Sequence, residues 1–161
     1  MSGATSPIDL QELGGDDAAA LQGFSCRTFR EPWSDLVEEM IRGPLPDALA
    51  DGNVEGVGAW VEGRLSGVAA WRFDDGQPRY CHCFIVAVRT GARRRGIGRA
   101  LKQAVLARAT AIGAAAVVSE VHWDNDAMIE LNVQLGANVE QIDGDPEYLR
   151  CIIALPPLDW A

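Results

Sequence analysis

Long apolar runs are missing from this chain. None approaches the roughly 20 residues that a helix needs to cross a bilayer, so no membrane partner is expected. The opening Met1-Ser2-Gly3-Ala4-Thr5-Ser6-Pro7 has neither a basic start nor an apolar stretch, so a cytoplasmic location is expected. Cysteine is scarce: Cys26, Cys81, Cys83 and Cys151 are the 4 present. No second pair stands at zinc spacing, so reduced, buried thiols and no metal are expected. Basic residues are few, 14 against 23 acidic ones, for a net charge of −9. That acidic balance argues against nucleic acid as a partner. There are no repeats, low-complexity tracts or linkers. The 161 residues fit one domain, 1–161, with a sizeable core.

What basic charge there is collects in one place. Val88 to Lys102 holds 6 basic residues and no acidic one, so the remaining 8 face all 23 acidic residues. Within that stretch the apolar run Val86-Ala87-Val88 gives way to Arg89-Thr90-Gly91-Ala92-Arg93-Arg94-Arg95-Gly96-Ile97-Gly98-Arg99. A helical pattern follows at once: Ile97, Leu101, Val105, Ala109 and Ile112, with Gly113 as its stop. Glycines let backbone approach a ligand closely. A helix beginning there aims unpaired N–H groups and its positive end into the loop. That arrangement suits a phosphorylated cofactor.

The rest of the chain reads as alternating strands and helices. Strands are expected over Ile8–Leu13, Val57–Glu62 and Leu65–Phe73, the last two as a hairpin about Gly63-Arg64. Tyr80–Val88 reads as a central strand, Ala116–Trp123 as the next, and Val139–Ile142 and Tyr148–Leu155 as closing strands. Helices are expected over 17–29 behind Asp16 or Asp17, over 33–42, and from Asp124-Asn125-Asp126 to Leu135-Gly136. Gly43-Pro44-Leu45-Pro46 reads as a breaker. The order implies an α/β fold, a mixed sheet of six to seven strands with helices on both faces and a parallel crossover through the glycine-loop helix.

Two readings of the loop fail on their own terms. A dinucleotide fingerprint needs a third glycine where Leu101 stands, and a Walker loop needs Gly-Lys-Ser/Thr. The third reading is an acyl-CoA site. Arg93-Arg94-Arg95-Gly96-Ile97-Gly98 resembles the (Gln/Arg)-x-x-Gly-x-(Gly/Ala) signature of the GNAT N-acetyltransferase superfamily. Val88 precedes it by the family's spacing. Asn125, Ile129, Leu131 and Leu135-Gly136 resemble the family's downstream segment, and the element order matches from end to end.

The resemblance implies the GNAT fold and acetyl-CoA as acyl donor. Its pyrophosphate would rest on the loop Arg93, Arg94, Arg95, Gly96, Ile97, Gly98 and Arg99. Its pantetheine arm would pair with the strand at Val86 and Val88, with Asn125 and Asn132 completing the cofactor set. The Val86 amide would stabilise the oxyanion, a contribution of ~3 kcal/mol for one such donor. By the same alignment His82 falls where relatives carry a glutamate or histidine base. Period two puts His82, Phe84, Val86 and Val88 on one face, and imidazole suits the task near neutrality. Glu120 and His122 share a face of the neighbouring strand as further base candidates, and Asp124 reads as a cap. Asn132 replaces the tyrosine that often protonates the departing thiolate. An amide can hydrogen-bond the sulfur but gives no proton. Ala137 replaces a phenylalanine.

Glu38 and Glu39 fall in the region that shapes acceptor sites. Of the five tryptophans, Trp60, Trp71 and Trp160 read as core, while Trp33 and Trp123 can line an acceptor pocket. The expected activity is transfer of an acetyl group to a primary amine of a small molecule or peptide, with a homodimer through the closing strands compatible with the fold. The alternative is a non-catalytic acyl-CoA-binding module. A scaffold without cofactor is disfavoured by the glycine loop.

Overall fold

A computed structural model describes residues 6–93 and 95–157; Arg94 and Trp160 lie outside them. Strand β1 (Asp9–Glu12) pairs antiparallel with β2 (Glu55–Val61). Strand β3 (Arg64–Phe73) follows β2, and β4 (Tyr80–Val88) follows a loop. The β2–β3 turn sits at Glu62-Gly63 rather than Gly63-Arg64. Both turn residues have positive φ, +50° and +77°, which matches the twist of a two-residue hairpin.

The first helical segment is shorter than its sequence predicts. Instead of 17–29 there is a 3-10 turn at Gly15–Asp17 and helix α1 at Ala18–Gln22. Asp17 does serve the start, its Oδ2 accepting the Gly14 N–H at 2.8 Å. Gly23 ends the helix, and the following chain is held elsewhere: Glu38 Oε1 accepts from the amides of Cys26 and Arg27. Helix α2 (Trp33–Arg42) has the expected bounds. The expected breaker instead starts a new helix, α3 (Pro44–Asp51). Proline is harmless in a first turn, where its missing N–H has no intrahelical partner to lose. Helix α4 (Ile97–Ile112) and strand β5 (Ala116–His122) follow. Helix α5 (Asp126–Gln134) is capped by Asn125, not Asp124: Asn125 Oδ1 accepts from Met128 N–H at 3.3 Å. The sheet closes with β6 (Asn138–Ile142) and β7 (Asp145–Ala154). The seven strands run in the order β1-β2-β3-β4-β5-β7-β6, a mixed α/β sheet in which α4 joins the parallel pair β4 and β5.

The chain divides into two compact units, one joining the chain up to Ala70 to Ile85–Gln103, the other joining Trp71–Phe84 to the chain from Ala104 on. In the first, Leu21, Phe24, Ile41, Leu45 and Leu49 bury against Val68 and Ala70 of β3 and Ile85 and Ala87 of β4. Each large side chain so buried is worth ~1.5–3 kcal/mol over its exposed state. In the second, β5 pairs antiparallel with β7 from Ala116↔Ala154 to His122↔Tyr148, and β7 pairs with β6. Cys81, Val117, Val121, Cys151 and Ile153 are buried there. All four cysteines are buried thiols, none of them in a disulfide.

Candidate active site

Alternation on β4 separates a covered face from an open one. Cys81, Cys83, Ile85 and Ala87 are buried, while His82, Phe84, Val86 and Val88 are exposed or half-buried. The sequence alone reads this strand as a central one of nearly continuous apolar character. The described residues leave one of its faces open, and that face carries Phe84 and three residues expected at the site, His82, Val86 and Val88.

The loop after β4 is pinned by its own backbone. Arg89 N–H donates to Ser66 C=O at 2.8 Å, Thr90 N–H to Ser25 C=O at 2.9 Å, and Ala92 N–H to Arg89 C=O at 2.9 Å. Gly96 has φ +77°, a left-handed conformation that a side chain resists. The first ladder bond of α4 runs from Ala100 N–H to Gly96 C=O, so the amides of Ile97 and Gly98 precede the ladder and point out of its first turn. The start of α4 lies flush on β3 because residue 67 is glycine. A Cβ there would stand 2.6 Å from Ile97 Cγ2 and 2.8 Å from Leu101 Cδ1.

The arginines of the loop divide the work. The Arg93 guanidinium grips Glu31 with two contacts, at 2.6 and 2.8 Å. That hydrogen bond is the main reason the Glu31 carboxyl is held below its usual range and Arg93 above its own. Arg93 therefore ties the loop to the segment before α2, and its side chain is spent on that contact. Burial first, then the charges of Arg64 and Arg95, lower the Arg89 guanidinium. Its Nε is buried without a hydrogen-bond partner. Arg95 and Arg99 are exposed. Arg94 falls outside the described residues.

In the second unit, His82 Nε2 lies 3.0 Å from Asp74 Oδ2. The carboxylate is itself fixed: its Oδ1 accepts from Tyr80 N–H at 3.0 Å and Gly76 N–H at 3.2 Å. These bonds, led by the Tyr80 amide and then His82, hold the Asp74 carboxyl below its usual range. In a neutral imidazole, a carboxylate at Nε2 favours the tautomer that donates from that nitrogen and carries its lone pair on Nδ1. Sequence reading gives Asp74 no part in the site. Its role depends on the closure Asp74 N–H to Tyr80 C=O, which a one-dimensional pattern does not announce. Glu31 is missed for the same reason.

Register extends the open face across the sheet. His82 pairs with Val118, and along β5 the same face carries Glu120 and His122. Opposite them on β7 stand Arg150 and Tyr148. Arg150 reaches Glu120 at 3.8 Å and Glu140 at 3.5 Å, so Glu120 is a paired surface carboxylate. His122 Nδ1 accepts from Asp124 N–H at 3.2 Å, which takes up the lone pair that a base at that nitrogen would need. Asn132 is fully buried; its Nδ2 donates to Met128 C=O at 2.9 Å, and its Oδ1 has no hydrogen-bond partner. Asn125 spends its side-chain oxygen on the α5 cap. Glu38 is half-buried on the amides of residues 26 and 27, and Glu39 is exposed. Trp33 is half-buried and Trp123 exposed. Among the described residues no group of three His, Cys, Asp or Glu side chains could hold a metal ion, and no helix is long and apolar enough to cross a membrane.

Residues 19–137 match the profile of the family described as Acetyltransferase (GNAT) family. No curated protein sequence matches the chain. Solved structures share the fold. The PaiA N-acetyltransferase of Thermoplasma acidophilum, in complex with coenzyme A, superposes with TM-score 0.75 at 14% identity, over 92% of this chain and 99% of that one. The GNAT domain of S. lividans PAT gives 0.73 at 17%, over 92% and 90%. The ribosomal-protein-S18-alanine N-acetyltransferase of Escherichia coli gives 0.68 at 22%, over 96% of each.

Proposed function

The chain belongs to the acetyltransferase (GNAT) family, and we propose that it moves an acetyl group from acetyl-CoA to a primary amine of a small molecule or peptide by direct attack. The observation that carries the proposal is the Asp74–His82 pair on the open face of β4. It gives the chain a base whose orientation and tautomer are set before substrate arrives.

The loop fits a CoA-type pyrophosphate on three counts: the left-handed Gly96, the first-turn amides of Ile97 and Gly98, and the buried Arg89 Nε that has no hydrogen-bond partner. Those amides with Arg95 and Arg99 would hold the phosphates, with Arg93 contributing through its main chain. Bound acetyl-CoA supplies an activated thioester carbonyl. His82 Nδ1 takes the proton from the acceptor ammonium, directly or through one water, for a gain of 10²–10⁴-fold typical of such groups. The Val86 N–H offers a hydrogen bond to the developing oxyanion, and Val88 an edge for the pantetheine arm. Asn132 gives no proton to the departing thiolate, which would receive, through water, the second proton that the attacking nitrogen sheds as the amide forms.

The test is thermal unfolding with acetyl-CoA, CoA, succinyl-CoA and NADH, followed by an amine screen. A ligand at 100 times its Kd adds ~2.7 kcal/mol to stability. Acetyl-CoA is expected to raise Tm and NADH to leave it unchanged. His82→Ala is expected to lose turnover about 10²-fold or more while keeping the acetyl-CoA shift. No shift with any CoA species overturns the proposal. A shift without turnover for any amine favours the second reading, a binding module, for which the buried Asn132 in place of an acid speaks.

A further inference from the structure

The unit that holds His82 also holds a cleft that acetyl transfer does not by itself require. It is open, about 560 Å³, and lies at the β6–β7 turn, lined by Trp123, Gln141, Ile142, Asp145, Pro146 and Tyr148 among others. Trp123 is 56% exposed, unusual for an indole. It is nonetheless held in place. The His122 ring stacks on it with centroids 5.9 Å apart at 30°, and meets Tyr148 edge-on at 5.5 Å and 86°.

Negative charge surrounds these rings. Asp145 lines the cleft, its Oδ1 fixed by the Glu147 and Tyr148 amides at 2.9 and 3.2 Å. The Tyr148 hydroxyl is pushed up by burial and then by the carboxylates of Glu147, Asp145 and Glu120. The cation on the same face, Arg150, already spans Glu120 and Glu140. An indole and a phenol with carboxylates beside them attract an organic cation, through the ring faces and through charge.

We propose that this cleft holds a positively charged, non-reacting group of the acceptor, so that the substrates are amines bearing a second cationic centre. The inference rests on the acetyl-transfer reading and narrows it. The reacting amine cannot be what the cleft holds. It must lose a proton before attack, and aromatic faces with carboxylates favour the charged form. His82 sits beside Val118, and β5 reaches His122 four residues on, a run of ~13 Å. The acceptor's two nitrogens are therefore separated by an extended chain, not by a short one.

The experiment compares three alkylamines of equal length, ending in trimethylammonium, in its neutral tert-butyl isostere, or in a carboxylate, over graded chain lengths. The trimethylammonium compound is expected to show a KM about tenfold below its neutral isostere, and the carboxylate the highest KM. Trp123→Ala is expected to erase the difference between cation and isostere. A readout free of turnover is the indole N–H signal of Trp123, identified by its loss in Trp123→Phe. Tetramethylammonium chloride is expected to shift it and sodium chloride to leave it in place. Equal KM values for cation and isostere, or no shift, overturn the proposal while leaving acetyl transfer standing. A shift with no acetylation of any amine leaves the cation site standing and overturns acetyl transfer.

Discussion

A histidine serves as a base only when the nitrogen facing the substrate is the one without a proton. At His82 that choice falls to Asp74, whose Oδ1 is occupied by two backbone amides and whose Oδ2 meets Nε2. Asp74→Asn keeps an oxygen for the amides but presents an NH₂ to Nε2, which reverses the tautomer and puts the proton on Nδ1. The expected outcome is a fall in kcat of about 10²-fold with the acetyl-CoA thermal shift unchanged. A stability effect without this kinetic change would mean that Asp74 only closes the turn. Glu31 offers a second test at this scale. Its carboxyl is held below the usual range chiefly by Arg93, so the native state favours the ionised form. The stabilisation is present above the ordinary glutamate pKa of ~4.3 and is lost as pH falls through the lower folded value. Both side chains are partly exposed, 42% and 25%, so the pair is worth at most about 1 kcal/mol. Thermal unfolding of Glu31→Gln is expected to show a Tm deficit at neutral pH that vanishes in acid.

Elements matter here through the way α4 seats on β3. Gly67 leaves room for Ile97 and Leu101 at the end of the helix that frames the glycine loop. Gly67→Ala forces both side chains or the helix start to move, an overpacking cost of about 1–3 kcal/mol. The expected result is a lower Tm together with weaker acetyl-CoA binding by titration, because the displaced turn carries the Ile97 and Gly98 amides. Loss of stability with unchanged affinity would separate the seat from the site. Element scale is also where sequence reading succeeded and failed most clearly. The bounds of β4, α2 and α4 are legible from periodicity, because each buries one regular face. Helix α3 was not, since Pro44 and Pro46 read as breakers until their position in a first turn is known. The expected helix over 17–29 stops at Gln22 with Gly23 as its cap, and Glu38 from α2 then holds the amides of Cys26 and Arg27.

At the scale of the whole molecule, burial governs the thiols. Cys26 is pushed up to about 11, first by burial and then by Glu38, and all four cysteines are buried. Thiolate is the reactive form, so none is expected to react quickly with a disulfide reagent at neutral pH, and all four are expected to react in denaturant. Labelling that keeps pace with unfolding followed by tryptophan fluorescence supports this. A single fast thiol in native protein would contradict it and mark a local opening.

The α/β order, the glycine loop at the mouth of a helix, and the strand that carries His82, Val86 and Val88 are legible in the amino-acid order. These features are local: a period of two or of 3.6, a glycine where φ must be positive, a change from apolar to basic within a few residues. Tertiary structure alone decided that Asp74 orients His82, that Arg93 is spent on Glu31, that Asn132 is sealed in the interior, and that Trp123, His122 and Tyr148 meet beside carboxylates. Each of these joins side chains whose meeting depends on a turn, a loop or a register between strands. Hydrophobic periodicity tells which face of an element is buried, but the partner across space is chosen by chain closure and packing, which no local pattern encodes.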